Sequence, residues 1–250
     1  MDRCLNLSEI LDKINQNGLF LSIRRFKYVP YDMKMALRVV EAIGKRRNKK
    51  FRIDEENRFT YENLIRWVHG DDKMQCVDPK TKNVMPGNLN SGIYIAGNTG
   101  TGKSWALEVM AAYCSVDSVA VELGGKITQL KWPSFRTDAI CDVYMTTGML
   151  EKFKNARVMA FQDLGSEPME SLYMGNRLNV MRQILENRGD RTDVITLITS
   201  NLPINCQEFT SMYGDRVASR LLEMCNYFEI KGTDRRKVNY PQTEDLWASC

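Results

Sequence analysis

The 250-residue chain carries 35 lysines and arginines against 31 acids, a formal net charge of +4, with 43% apolar and 26% charged residues. That is the balance of an ordinary globular protein, long enough to bury a large core as one α/β domain or a domain with a small appendage. No apolar run approaches the roughly 20 residues needed to cross a bilayer, so no membrane partner is expected.

The charge is mild, so any nucleic-acid affinity has to come from local patches. The start, Met1-Asp2-Arg3-Cys4-Leu5-Asn6-Leu7, lacks the basic-then-apolar layout of a secretion signal. The seven cysteines are scattered, none in C-x-x-C, and the one histidine is His69. This spacing argues against a zinc site and for free thiols in a reducing, cytoplasmic setting.

In chain order, Leu5 to Ile14 has apolar residues at helical spacing, and so does Tyr31 to Ile43. The second stripe runs into Lys45-Arg46-Arg47-Asn48-Lys49-Lys50-Phe51-Arg52, six cations with no acid among them. The run reads either as a solvated helix end, where cations are favoured, or as an arm contacting nucleic-acid phosphates without reading bases. Asp54 to Val68 is a further helix, with Asp54, Glu55 and Glu56 in its first turn. Met74 to Asn90 reads as a loop. These elements suggest a helical N-terminal region over 1–53, which carries the basic run, and a second domain over 54–250.

Beyond residue 90 the pattern alternates. Gly92 to Ala96 is a strand and Trp105 to Tyr113 a helix; Ile127 to Phe135 is strand-like apart from Pro133. Thr137 to Leu150 is helical, Arg157 to Phe161 a strand, Leu172 to Asn187 a long helix and Val194 to Ser200 a strand. Asp215 to Cys225 is helical and Tyr227 to Lys231 extended. Strands alternating with crossover helices imply a parallel sheet with its active edge at the strand C-termini.

Between the strand at 92–96 and the helix at 105–113 lies Gly97-Asn98-Thr99-Gly100-Thr101-Gly102-Lys103-Ser104, which fits G-x-x-x-x-G-K-[ST]. Strand, glycine loop and helix is the context in which this motif binds phosphate. The glycines let backbone N–H groups turn inward around a polyphosphate, and the helix N-terminus adds partial positive charge. Lys103 would reach the β- and γ-phosphates, and the Ser104 hydroxyl would ligate Mg²⁺. The expected cofactors are therefore ATP and Mg²⁺. The absence of an N-K-x-D motif favours adenine over guanine.

Two strand ends complete the reading. Val158-Met159-Ala160-Phe161-Gln162-Asp163 ends in an acid, and Asp163 is the candidate carboxylate for Mg²⁺ and for the attacking water. Ile195 to Ser200 is followed by Asn201, whose amide could contact the γ-phosphate or position the water.

With those motifs in that order, the chain resembles the AAA+ ATPases of the DnaC/DnaI helicase-loader and IstB transposition-helper group, related to the DnaA initiators. The resemblance covers roughly residues 54–236. It rests on the loop at 97–104, Phe-Gln-Asp-Leu-Gly-Ser-Glu at 161–167, Thr-Ser-Asn-Leu at 199–202 and Tyr-Gly-Asp-Arg-Val-Ala-Ser-Arg-Leu-Leu-Glu at 213–223. It implies that Arg216 and Arg220 form a two-arginine box, the second reaching a neighbour's ATP. Their i, i+4 spacing puts both on one helix face, which also suits an exposed helix with ordinary salt bridges.

The resemblance further implies that Arg236 senses nucleotide in the same subunit, with Arg235 the next candidate. The family's strand usually ends in two acids, and here the first position is Gln162. A neutral amide cannot replace the attraction of a carboxylate for Mg²⁺. ATP binding is thus expected more firmly than fast turnover, and Gln162→Asp is expected to raise hydrolysis.

The resemblance implies a replication ATPase, a helicase loader or accessory. It would self-associate into an AAA+ oligomer, bind DNA, single-stranded in the leading reading, and engage a replicative helicase. A transposition helper, an ATP-binding switch with slow hydrolysis and a phosphate-loop kinase are the alternatives.

Overall fold

The computed structural model describes residues 6–16, 23–25, 28–116, 120–123 and 126–235. Helix α1 (Leu7–Gln16) and strand β1 (Ile23–Arg25) precede α2 (Met33–Arg47) and α3 (Arg58–His69). The pair β2 (Gln75–Val77) and β3 (Val84–Pro86) leads to β4 (Gly92–Ala96) and α4 (Lys103–Val116). Next come β5 (Ala120–Leu123), β6 (Lys126–Gln129), β7 (Ser134–Arg136), α5 (Thr137–Thr147) and α6 (Glu151–Asn155). Strand β8 (Val158–Leu164), β9 (Ser171–Tyr173), β10 (Asn176–Leu178) and α7 (Val180–Gly189) follow. The described part ends with β11 (Ile195–Ser200), α8 (Gln207–Met224) and β12 (Cys225–Glu229).

Five strands form one parallel sheet in the order β12-β4-β11-β8-β7. Its central strands are apolar on both faces, as a sheet covered by helices on both sides requires. Along β4, Ile93 and Ile95 join one core cluster while Tyr94 and Ala96 join the other, the period-two alternation of a strand. The first cluster takes Val40, Leu64, Ile65, Trp67 and Met110 from α2, α3 and α4. The second takes Ile140, Ile184, Leu185, Val217 and Leu221 from α5, α7 and α8. The architecture is the expected α/β one: a parallel sheet flanked by helices, with the glycine loop between β4 and α4. No helix among the described residues is long and apolar enough to cross a membrane.

Four local expectations are corrected. The segment expected as one loop over 74–90 contains the antiparallel hairpin β2–β3, with Gln75 opposite Pro86. The strand expected over 127–135 breaks at Trp132-Pro133, leaving β6 antiparallel to β5 and β7 in the main sheet. The helix expected from Leu172 starts only at Val180, because β9 and β10 pair across a turn with positive φ at Met174 (46°) and Gly175 (86°). Two consecutive positive-φ residues match the twist of a tight hairpin, and Gly175 was the available signal.

Finally, α3 begins at Arg58, not Asp54. The Asp54 backbone carbonyl accepts from Asn57 and Arg58, and its amide donates to the Asn57 side chain, so 54–57 is a capping turn. The acids read as first-turn residues precede the helix, and two of them, Asp54 and Glu56, serve another partner, described below. The basic run is divided: its first three cations close the last turn of α2, and the rest lie beyond it.

Candidate nucleotide site

The site lies where parallel strands end together. Ala96 at the end of β4 pairs with Ser200 at the end of β11, and Ser200 pairs with Leu164 at the end of β8. Loops leaving a parallel sheet at its carboxyl edge converge there, so this is where a ligand crevice forms.

The loop at 97–102 turns into α4 with Gly100 and Gly102 at φ 82° and 96°, a region L side chains rarely occupy. A side chain at Gly100 would also collide with the Asp234 carboxylate. The loop is braced by the Thr101 hydroxyl donating to Asn98 O (2.9 Å) and by Gly97 N donating to Ser200 O (3.2 Å). Thr99 lies at its outer turn, between Asn98 and Gly100.

Lys103, only 5% exposed, donates from Nζ to Asn98 O (2.8 Å) and to Asn201 Oδ1 (2.7 Å). Its ammonium therefore spans the glycine loop and the residue that follows β11. Ser104 Oγ donates to Asp163 Oδ1 (3.2 Å) and lies 3.4 Å from Thr199 Oγ1. Lys103, Ser104, Asp163 and Asn201, chosen from separate motifs, thus come together at this edge in two hydrogen-bonded groups, Lys103 with Asn201 and Ser104 with Asp163. Thr199 joins the second group; in the sequence it stood only within the Thr-Ser-Asn-Leu motif at 199–202, with no role of its own.

A β-bulge sets the direction of Asp163. The β8–β11 register slips, with Ile198 facing Phe161 and Ser200 facing Leu164, so Gln162 and Asp163 together face Thr199. Bulges re-aim side chains next to functional sites. Asp163 has φ 59°, uncommon for a residue other than glycine but tolerated by Asp. Its backbone is held from both sides: N–H donates to Thr199 Oγ1 (3.1 Å), and the carbonyl accepts from Thr137 Oγ1 (3.0 Å) and from Ser166 N and Oγ. Such over-determination lets a strained conformation persist.

Gln162 faces elsewhere. It is 7% exposed and donates from Nε2 to Glu108 Oε1 on α4 (3.1 Å). Glu108 pairs in turn with Arg47 at the end of α2, whose guanidinium lies over the Trp105 ring. Glu167 is buried, accepts from Gly165 N and from the Tyr213 hydroxyl, and so ties the turn after β8 to α8. Burial, then the Glu167 charge, pushes the Tyr213 hydroxyl far above its usual range, leaving it a donor.

Arg136 was also missed. It ends β7 opposite Gln162, and its guanidinium clasps Asp138 from Nε and Nη2 while Nη1 lies 3.6 Å from Asp163 Oδ2. The Asp138 hydrogen bond raises the Arg136 pKa and lowers that of Asp138.

Arg216 is exposed and Arg220 half-buried on α8, beyond the break at Gly214. Both reach Asp190 at the end of α7, at 3.1 and 3.0 Å, and Arg220 also reaches Glu223. They share a face and an anion, and Asp190 and Glu223 lie outside the glycine loop. Arg236 falls outside the described residues. Arg235 is described: its N–H donates to Gly100 O (3.0 Å), and its guanidinium binds Asp54 at 2.8 and 2.7 Å and Glu56 at 3.1 Å. Residues 230–235 thus lie along the loop, with Ile230 N donating to Ala96 O.

The donor set fits the groups the motif implies. Lys103 and the N-terminal turn of α4 suit a polyphosphate. One hydroxyl and one carboxylate suit Mg²⁺, which keeps several waters and takes its remaining ligands from phosphate. Among the described residues no cluster of three His, Cys, Asp or Glu side chains could hold a metal by itself.

No family model and no curated protein matches the chain. Among solved structures it is similar to a candidate primosome component from Streptococcus pyogenes serotype M3, at 18% identity and TM-score 0.49 over 72% of this chain and 82% of that one. It is similar to the DnaC helicase loader at 18% identity and TM-score 0.48, over 74% of this chain and 95% of that one. It is similar to AMPPCP-bound DnaA from Aquifex aeolicus at 16% identity and TM-score 0.44, over 75% of this chain and half of that one.

Proposed function

We propose that the chain is an ATP-binding ATPase of the AAA+ type that acts in DNA replication as a helicase loader or accessory. The observation that carries the nucleotide reading is the cluster of Lys103, Ser104, Thr199, Asp163 and Asn201 at the ends of β4, β8 and β11. The replication reading rests on the resemblance of the four motifs.

In this reading the loop N–H groups and Lys103 bind the phosphates, Lys103 exchanging its carbonyl and amide partners for phosphate oxygens. Ser104 and Asp163 hold Mg²⁺, which when bound neutralises charge on the phosphate oxygens. Asn201, already hydrogen-bonded to Lys103, orients the terminal phosphate or the water beside it. Arg220 acts on a neighbouring subunit's nucleotide, with Arg216 beside it, so both exchange Asp190 for that partner on self-association. The cationic residues beyond α2 and the helicase-binding N-terminal region complete the loader reading, with single-stranded DNA as the nucleic-acid partner.

One observation favours a second reading, an ATP-dependent switch with slow turnover. Gln162 is engaged with Glu108, and among the described residues Asp163 is the one carboxylate hydrogen-bonded to Ser104, so a single acid serves both the metal and the water. Sedimentation with ATP and Mg²⁺ tests the assembly. The full chain is expected to self-associate, and Arg220→Ala is expected to lower DNA-stimulated hydrolysis at least ~10-fold with ATP affinity unchanged. A chain that stays monomeric with ATP and phosphorylates a soluble acceptor would overturn the loader reading.

A further inference from the structure

The geometry points to Arg136 as a second cation for the terminal phosphate, supplied by the same subunit, that makes the site prefer a nucleoside triphosphate over a diphosphate. The inference rests on the nucleotide reading of the cluster above and adds a residue to it.

Arg136 ends β7, on the strand next to β8, at the carboxyl edge where the glycine loop opens. Its guanidinium is oriented before any ligand arrives. Asp138 takes Nε (3.1 Å) and Nη2 (2.8 Å), which fixes the plane of the fork and leaves Nη1 pointing at Asp163 Oδ2 (3.6 Å). Asp163 meanwhile offers its other oxygen to Ser104 (3.2 Å), so one carboxylate lies between the expected metal-binding hydroxyl and this arginine.

That arrangement is self-consistent only while Asp163 is free to accept from both. A carboxylate bound to a divalent cation loses most of its attraction for a neighbouring guanidinium, because the pair it forms is no longer negative. Arg136 keeps Asp138 on Nε and Nη2, and its remaining nitrogen is then available to another anion; a guanidinium fork suits phosphate oxygens better than a lysine's point charge. Its side chain is 57% exposed, so it can turn without breaking the core. Gln162, opposite Arg136 in the sheet, is neutral and bound to Glu108, so no second acid at the end of β8 competes for the guanidinium.

Arg136 would therefore contribute to ATP and little to ADP. Isothermal titration of the full chain with ATP and with ADP, both with Mg²⁺, separates the possibilities. Arg136→Ala is expected to weaken ATP roughly 10- to 100-fold, the range for losing hydrogen bonds to a charged group, and ADP less than about 3-fold. Arg136→Lys should recover part of the ATP affinity, which a folding defect would not allow. An unchanged ATP-to-ADP affinity ratio in Arg136→Ala overturns the role of Arg136 and leaves the nucleotide site standing. A wild-type chain that binds neither nucleotide overturns the nucleotide reading and this inference with it.

Discussion

Gln162 and Asp163 are adjacent in the sequence and serve different masters in the fold. The bulge opposite Thr199 points Asp163 at Ser104 and leaves Gln162 against Glu108. A carboxylate placed at position 162 would therefore meet another carboxylate before it met a metal. Gln162→Asp should lower stability by about 1–2 kcal/mol, since a buried donor becomes a like charge, and Tm by roughly 2–8 °C. Hydrolysis should not rise, contrary to what the bare motif suggests. Glu108→Gln in the same chain should recover part of the loss in a double-mutant cycle by thermal unfolding. Strict additivity, or a rate gain in Gln162→Asp alone, would show that residue 162 faces the phosphates. The strand and its terminal acid were legible from the apolar run before Asp163. The bulge was not, because it depends on the register between β8 and β11, strands far apart in sequence.

At the scale of elements, residues 230–235 are pinned to the glycine loop by a long-range tie. Arg235 joins Asp54 and Glu56, residues that a sequence pattern assigns to a helix's first turn. Burial pushes the Asp54 carboxyl up, but hydrogen bonds from Arg235 and the charges of Arg235 and Arg52 outweigh it and hold the pKa below the usual carboxylate value. The folded value is thus depressed. The stability from this pair is fully present above the unfolded pKa of about 4, and it is lost as pH falls through the lower folded value. Between about pH 5 and 2, Asp54→Asn should show a flatter fall of Tm with pH than wild type. Parallel curves for the two proteins would mean that the pair contributes nothing to folding. The hairpins β2–β3 and β9–β10 teach the same lesson as Asp54. Local periodicity cannot see a partner, and Gly175 inside an expected helix was the one local sign of a turn.

Across the whole molecule, the alternation of strands and helices from Gly92 onward was readable because the central strands are apolar on both faces and the glycine loop marks the first crossover. What had to come from the fold was adjacency: that β11 lies between β4 and β8, bringing Asn201 to Lys103 and Thr199 to both Ser104 and Asp163. Arg136 became visible for the same reason, since only the β7–β8 pairing sets it beside Asp163. All of this converges on a single claim, that the carboxyl edge of the sheet binds a nucleoside triphosphate through Lys103. Equilibrium titration of ATP with Mg²⁺ into wild type and Lys103→Ala tests it most directly. Wild type is expected to bind and the variant to lose about 100-fold or more in affinity, since a buried ammonium shared by loop and strand end is removed. Equal affinities in the two proteins would contradict it.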